Sequence, residues 1–188
     1  MKKVVISGTG LFQPEQVITN AELVASYNAY ADLQNAKFAE EIAAGTRQPL
    51  AHSSVEFIEK ASGIQQRYVL EKEGVLDPTR MKPRFAPRAD GELSLMAEMA
   101  VAAAQKALAA AGKQGSDIDG VLCAAANMQR AYPAMACEIQ AAIGARGYGF
   151  DMNVACSSAT FGIELPIVPI APGGADDPDT TTTTETTP

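Results

Sequence analysis

The segment GFDMNVACSSATFG, residues 149–162, decides the fold class of this 188-residue chain. Residues 149–154 form a short, mostly apolar run that predicts a buried strand. Residues 155–164 predict the start of a helix, so Cys156 falls where a strand gives way to a helix. Strands that lead directly into helices are the repeating unit of α/β proteins.

Outward from this segment, strands alternate with helices. Residues 121–126 and 3–7 predict two further buried strands, and Gly8 and Gly10 end the second of them. Helices are predicted at residues 19–30, 36–44 (weakly), 55–61, 95–111 and 133–143. Their boundaries come from capping residues: a Thr19/Glu22 capping box, Ser94 before a helix, Pro133 at a start, and Gly63, Gly112 and Gly144 at ends. Small residues on one stripe of residues 95–111 suggest close packing between layers. The alternation predicts an α/β sheet.

Two segments fall outside this pattern. Residues 71–90 predict a long loop rich in proline and arginine, and loops of that length are often functional. After Glu164, prolines interrupt the helix, and a run of threonines follows at residues 180–184. We expect a folded domain at residues 1–164 and a disordered tail at 165–188. The tail is either natural or a truncated or frame-shifted end, and the change of composition in mid-helix favours the second.

Composition excludes several classes of function. The net charge of -7 argues against a nucleic-acid partner, because phosphate binding needs clustered cations. The candidate basic cluster is interpreted as a solvated loop, and its members are Arg67, Arg80, Lys82, Arg84 and Arg88. The chain lacks the roughly 20 apolar residues of a membrane span, and its N-terminus lacks signal-peptide features. We therefore expect a cytoplasmic protein.

The three cysteines and the single histidine limit the chemistry. Cys123, Cys137 and Cys156 lie far apart and form no CxxC pair, and His52 is the one histidine, so no zinc site is expected. Backbone N–H groups at a helix start favour a thiolate and lower a thiol pKa, and small neighbours leave room for a substrate, so Cys156 is a candidate nucleophile. The alternative is a small buried hydrophobic residue. Cys123 and Cys137 are interpreted in that second way.

Four segments resemble β-ketoacyl-acyl-carrier-protein synthase III in the order of that family. GTGLFQPEQVITNAEL resembles GTG-x-x-x-P-E-x-x-x-T-N, and FIEKASGIQQRY resembles W-I-x-x-x-x-G-I-x-x-R. YPAMACEIQAAIG resembles F-P-x-x-A-x-x-I-Q-x-x-L-G, and FDMNVACSSATFG resembles FD-x-x-x-A-C-x-G-F, which holds the acylated cysteine. Together these segments cover most of residues 1–164, and the resemblance favours Cys156 as the nucleophile.

The resemblance implies a thiolase-like α/β fold, of which this chain would be the N-terminal half: a mixed sheet flanked by helices. It implies an acyltransferase of fatty-acid or polyketide synthesis. An acyl group passes from coenzyme A to Cys156, and malonyl-acyl-carrier protein then loses carbon dioxide and attacks the acyl-enzyme. The implied partners are acyl-CoA, an acyl carrier protein and a second copy in the intact homodimer. Coenzyme A thioester enters as substrate, and no resident cofactor or metal is expected.

Two further positions are implied by the resemblance. Phe57 matches a tryptophan that stacks on the adenine of coenzyme A, or else it is a core residue of its helix. Tyr132 matches a phenylalanine that lines the partner subunit's acyl pocket, where a hydroxyl would make the pocket shorter or more polar, or else it is an ordinary loop tyrosine. Arg67 matches an arginine without an assigned role, and Ala61 replaces another arginine of the family.

The chain also departs from the family. The family's catalytic histidine and asparagine come from the C-terminal half, and His52 matches no catalytic motif, so we expect this chain alone to be inactive in condensation. Extra length at residues 34–54 suggests a branch that handles other acyl groups, such as medium-chain ones. Three alternatives stay open: a hydroxymethylglutaryl-CoA synthase or chalcone-type relative, a non-catalytic subunit completed by a second chain, and a truncated product without function.

Overall fold

The computed structural model describes residues 4–164, and the chain divides into two compact units. Unit 2 is continuous and covers Phe12–Glu92. Unit 1 is discontinuous, since it combines the segment up to Leu11 with the chain from Leu93 onward. The predicted tail at residues 165–188 lies outside the described residues. Within residues 4–164, no helix combines the length and the apolar character that crossing a bilayer requires.

Unit 2 contains an antiparallel strand pair and four helices. The elements are β1 (Gln16–Thr19), α1 (Asn20–Lys37), α2 (Ala39–Ala43), α3 (Val55–Ser62), β2 (Gln66–Val69) and α4 (Glu73–Leu76). Strand β1 pairs with β2 so that Ile18 faces Arg67 across the ladder. Ile18 is buried and anchors this unit.

The helices of unit 2 begin and end largely at the capping residues that the sequence predicts. The Thr19/Glu22 capping box opens α1, and Gly63 closes α3 in the left-handed conformation. Helix α1 is longer than predicted, because nothing between Tyr30 and Lys37 breaks it. The weak helix predicted at residues 36–44 corresponds to the end of α1 and to α2, which are separated at Phe38.

Unit 1 contains a parallel strand pair and three helices. The elements are α5 (Leu95–Ala111), β3 (Gly120–Ala124), α6 (Met135–Ile143), β4 (Tyr148–Met152) and α7 (Ser158–Glu164), with 3-10 turns at Gly115–Asp117 and Ala155–Ser157. The parallel register sets Gly120 opposite Tyr148 and Ala124 opposite Met152. The two predicted strands are therefore confirmed and lie side by side. The loop of residues 71–90 is confirmed apart from α4.

The core of unit 1 lies between the strand pair and two helices. Its buried members are Ala97, Val101, Cys123, Met135, Ala136 and Ile139. Helix α6 has no capping side chain of its own at Ala134. Instead, the Asp151 carboxylate on β4 accepts the backbone N–H groups of Met135 and Ala136, each at 2.8 Å. This contact between distant parts of the chain fixes the start of α6 against the strand.

The strand predicted at residues 3–7 is wrong for its described part. Residues 4–7 have no strand partner among residues 4–164, and Val5 is 77% exposed. A strand needs a neighbouring backbone to satisfy its N–H and C=O groups, and local apolar character cannot supply one.

The two glycines that follow lie against helix α5. A side chain at Gly8 or Gly10 would collide with the carbonyl oxygens of Ala107 and Ala103 respectively. Lys106 Nζ on the same helix donates a hydrogen bond of 2.9 Å to the carbonyl oxygen of Leu11. The predicted close packing of this small-residue helix is therefore confirmed, and it explains why glycine is needed at both positions.

Candidate active site

Cys156 lies in the single 3-10 turn that joins β4 to α7. Its side chain is exposed. The preceding residue, Ala155, has a φ of +50°, a left-handed conformation that non-glycine residues rarely adopt and that often marks a functional site. The turn is closed at its base by a hydrogen bond of 3.1 Å from the Ser157 N–H to the Val154 carbonyl oxygen.

The Ser158 hydroxyl supports this turn from inside the unit. Ser158 is 3% exposed, and its Oγ accepts the Val154 N–H at 2.9 Å. The hydroxyl hydrogen has two acceptors within reach, the carbonyl oxygens of Ala155 at 2.8 Å and Ala125 at 3.2 Å. Asn153 adds a further contact, because its Oδ1 accepts the Ala155 N–H at 3.1 Å.

The other two cysteines differ from each other. Cys123 on β3 is buried, as predicted, and burial together with the nearby Asp151 carboxylate raises the pKa of its thiol above the usual 9.0. Cys137 is exposed, so the prediction that it is buried is wrong. Met135, Ala136 and Ile139 occupy the inward face of α6, and the helical period turns residue 137 away from that face.

Phe57 lies on α3 beside a cavity of unit 2 that has a volume of about 710 Å³. Its side chain is 67% exposed, so it lines the cavity and is not a core residue within this chain. The walls are mostly apolar, with serine and histidine at one side: Leu23, Val24, Tyr27, Ala51, His52, Ser53, Ser54, Phe57, Ile58 and Met81. Pockets of this size and character are typical of small-molecule sites.

One wall of this cavity is held by side chains of α1. Asn35 exchanges two hydrogen bonds with the backbone of Leu50, at 2.9 and 2.8 Å. Asn28 does the same with Ser53, at 3.1 and 2.8 Å. Between them, His52 Nε2 lies 2.7 Å from the Asp32 carboxylate. The segment of residues 50–53, here called the strap, is therefore fixed along one face of α1.

Sequence reasoning did not identify this arrangement. Asn28, Asp32 and Asn35 are spaced at i, i+4 and i+7, which places them on one face of a helix. That polar stripe was the available signal. It also explains the position of His52, which is a loop residue, as predicted, and is paired with Asp32.

Tyr132 lies in the loop that precedes α6 and is 90% exposed. The loop is anchored by Arg130, whose guanidinium binds Glu138 at 2.5 Å and the Pro133 carbonyl oxygen at 2.9 Å. Glu138 in turn accepts the Ser94 hydroxyl at 2.8 Å. Of the three predicted site residues, Tyr132 and Cys156 lie in unit 1, and Phe57 lies in unit 2.

The predicted basic cluster is largely engaged locally. Arg84 forms an ion pair with Asp77 at 2.5 Å, and Arg67 donates to the Asn20 side chain at 2.8 Å. The Arg80 guanidinium binds the carbonyl oxygens of Lys82 and Pro83. The contacts of Arg80 and Arg84 agree with the interpretation of a solvated loop, whereas Arg67 lies on strand β2 and is half-buried. Among residues 4–164, no group of three or more His, Cys, Asp or Glu side chains could hold a metal ion.

No protein-family model matches the chain. Individual relatives do. The chain is 55% identical over 150 residues to a β-ketodecanoyl-[acyl-carrier-protein] synthase of Pseudomonas aeruginosa. That match covers 80% of this chain and 43% of the relative. It is 28% identical over 166 residues to a β-ketoacyl-[acyl-carrier-protein] synthase III of Granulibacter bethesdensis. That match covers 88% of this chain and 38% of the relative. The chain therefore spans about two fifths of the length of these relatives.

Solved structures agree on the fold. The 3-oxoacyl-[acyl-carrier-protein] synthase III of Aquifex aeolicus matches with a TM-score of 0.58 and 24% identity, over 86% of this chain and 38% of that one. A cerulenin-bound variant of OleA from Xanthomonas campestris matches with a TM-score of 0.58 and 16% identity. The match covers 88% of this chain and 39% of the OleA chain. The fold is thus that of the thiolase-like α/β class, as predicted. The named relatives confirm the predicted similarity to part of a β-ketoacyl-acyl-carrier-protein synthase III. Proteins of that family are enzymes.

Proposed function

We propose that this chain supplies the acyl-accepting part of a synthase III-like condensing enzyme, with Cys156 as the nucleophile. The observation that carries the proposal is the exposed Cys156 in a constrained turn after β4. That turn lies at the carboxyl end of a parallel strand pair, where α/β sheets bind their ligands. The 55% identity to a named synthase supports the same assignment.

The proposed reaction is transfer of an acyl group between two sulfur atoms. Cys156 Sγ attacks the carbonyl carbon of an acyl-CoA, a new thioester forms on the protein, and the bond to the coenzyme A sulfur breaks. The thiol proton of Cys156 passes by way of solvent to the departing sulfur, so coenzyme A leaves as its thiol. The backbone N–H of Cys156 is one of the donors that we assign to the oxyanion of the tetrahedral intermediate.

The proposed acyl donor is of medium length. The Pseudomonas relative is named for a β-ketodecanoyl product. Condensation with a malonyl group adds two carbons, so a ten-carbon product requires an eight-carbon acyl group. We therefore propose octanoyl-CoA as the donor and malonyl-acyl-carrier protein as the acceptor of the whole enzyme.

The remaining assignments follow from the same proposal. Phe57 and its cavity would hold the adenine end of coenzyme A, with no resident cofactor. Tyr132 would contribute to the acyl pocket of a second copy in a cytoplasmic homodimer. Decarboxylation needs donors beside the developing enolate, and His52, the one histidine of the sequence, belongs to the strap of unit 2. These 188 residues alone are therefore expected to stop at the acyl-enzyme.

The experiment is intact-mass measurement after incubation with octanoyl-CoA, followed by peptide mapping. We expect one octanoyl adduct on Cys156, and none in Cys156→Ser. Cys137 is the internal comparison, since it is also exposed but lies on a helix. Adding malonyl-acyl-carrier protein should release no β-ketoacyl product. Absence of the Cys156 adduct, or equal acylation of Cys137, would contradict the assignment of Cys156.

A further inference from the structure

Ser158 ties three backbone segments together around the turn that carries Cys156. Its hydroxyl accepts the N–H of Val154, the residue just before the turn. The same hydroxyl lies within bonding distance of the carbonyl oxygens of Ala155 and Ala125. Ala125 follows the end of β3. The buried Ser158 side chain thus connects the backbone on both sides of the left-handed Ala155 to the end of β3.

We propose that Ser158 is a positioning residue for Cys156. Its hydroxyl holds Ala155 in the left-handed conformation and so fixes the direction in which the Cys156 sulfur and backbone N–H point. The consequence for acyl transfer rests on the proposed function, but the geometric role does not. A left-handed alanine persists only where its surroundings hold it, and the hydroxyl contacts backbone on both sides of that residue.

A simple helix-capping role does not account for these contacts. A capping serine accepts N–H groups two or three residues further along the chain. Ser158 is the first residue of α7 and instead accepts an N–H from four residues earlier. Its bonds therefore serve the turn and not the helix that follows.

The family motif to which this segment is similar, FD-x-x-x-A-C-x-G-F, has glycine at the position of Ser158. A glycine there has neither the hydroxyl nor the Cβ of serine, so it would leave the buried space of that side chain empty. It also supplies a test variant, because Ser158→Gly removes the hydroxyl without introducing new atoms.

The experiment compares Ser158→Ala, Ser158→Gly and Ser158→Thr with the matched control Ser157→Ala, all in the full chain. Ser157 is its exposed neighbour. Protection of the buried Cys123 from alkylation, measured in each variant, verifies that unit 1 is folded. With octanoyl-CoA, we expect the maximal acylation rate to fall roughly tenfold in the Ala and Gly variants, because small misplacements of a nucleophile are costly. The half-saturating concentration should stay unchanged, and Thr, which keeps the hydroxyl, should restore the rate.

A second readout separates this proposal from the proposed function. Iodoacetamide alkylation of Cys156 requires no acyl-CoA, and we expect it to slow about threefold in the Ala and Gly variants, because a smaller share of the relaxed turn's conformations presents the sulfur to the reagent. If the unaltered chain takes no octanoyl group, the proposed function fails and alkylation alone decides the role of Ser158. Alkylation at the unaltered rate in folded Ser158→Ala and Ser158→Gly would overturn the positioning role, and a slowing matched by Ser157→Ala would do the same.

Discussion

At the scale of single residues, exposure alone does not distinguish Cys156, the proposed nucleophile, from Cys137. Cys137 and Cys156 are both exposed. They differ in what surrounds them, since Cys137 lies within regular helix α6, whereas Cys156 follows a left-handed alanine in a turn held by buried Ser158. Backbone groups in a helix are already bonded, but a turn at a strand end can direct its N–H groups at a ligand.

The proposed binding of coenzyme A in the cavity of unit 2 can be tested at Phe57. Phe57→Ala should raise the half-saturating concentration of octanoyl-CoA several-fold and leave the maximal acylation rate unchanged, because a stacking contact made before and during reaction contributes uniform binding. Phe85→Ala is the matched control, since Phe85 is also exposed in unit 2 and does not line the cavity. Equal effects of both substitutions on acylation kinetics would refute the assignment.

At the scale of elements, the start of α1 combines a capping box with an ion pair. Thr19 N–H donates to the Glu22 carboxylate at 2.9 Å, and Lys72 Nζ binds the other carboxylate oxygen at 2.6 Å. The hydrogen bond from Lys72, followed by those from Thr19, lowers the pKa of Glu22 from 4.5 to about 2. The ionised carboxylate is therefore bound more favourably in the folded chain than in the unfolded one.

This shift predicts a defined pH dependence. Because the folded-state pKa is depressed, the contribution of Glu22 is fully present above the unfolded pKa, near pH 4.5, and is lost as the pH falls through about 2. Urea unfolding of the wild-type chain and Glu22→Gln, measured from pH 7 to pH 2, should show the wild type more stable at pH 7. The difference should shrink below pH 4.5. A difference that is constant across this range would contradict the proposed cause.

The strap gives a second prediction at this scale. Asn35→Ala should make the chain several-fold more sensitive to trypsin at Arg47, because losing both amide hydrogen bonds to Leu50 releases the strap from α1 and favours local opening. Gln34→Ala is the control, since its side chain has no such bonds to the strap in the described structure. Cleavage kinetics followed by mass spectrometry report both rates, and identical rates would show that the amide pair does not hold the strap.

The elements show which features a sequence reveals. Helix α5 was predicted to its exact ends, because Ser94 and Gly112 act within one turn of the residues they cap. The strand predicted at residues 3–7 failed because pairing depends on a distant neighbour that local hydrophobicity does not specify. The Asp151 cap of α6 and the asparagine contacts of the strap join residues far apart in sequence, and no local pattern reports them. The motif alone led to the proposal for Cys156, whereas the proposal for Ser158 depends on its contacts in the folded chain.

At the scale of the whole molecule, unit 1 exposes large apolar side chains. Those on its N-terminal segment, β4 and α7 include Val4, Val5, Ile6, Phe150, Phe161 and Ile163. Large apolar side chains that are exposed in this number are typical of an interaction face or of a liability to association. It agrees with the expectation that residues outside this chain complete the fold of the whole enzyme.

A lysine substitution tests whether this surface is truly outside the core. Val5→Lys should reduce binding of a hydrophobic dye and leave the melting temperature nearly unchanged, because Val5 is 77% exposed. The same change at Val101, which is 7% exposed, should prevent folding, because it buries an unpaired charge. A large loss of stability in Val5→Lys would show that residues 4–7 pack into the unit.

The division of unit 1 by unit 2 has a consequence for the order of events on the ribosome. Residues 12–92 emerge as one uninterrupted stretch, so all of unit 2 has been synthesised before α5 begins. The Gly8–Gly10 segment emerges before them, yet its seat on α5 does not exist until translation has gone much further, since Lys106 and Leu11 are 95 positions apart. The segment of residues 4–11 must therefore avoid binding to wrong partners for the whole of that interval. A chaperone that binds short apolar segments would find a target in the exposed Val4, Val5 and Ile6.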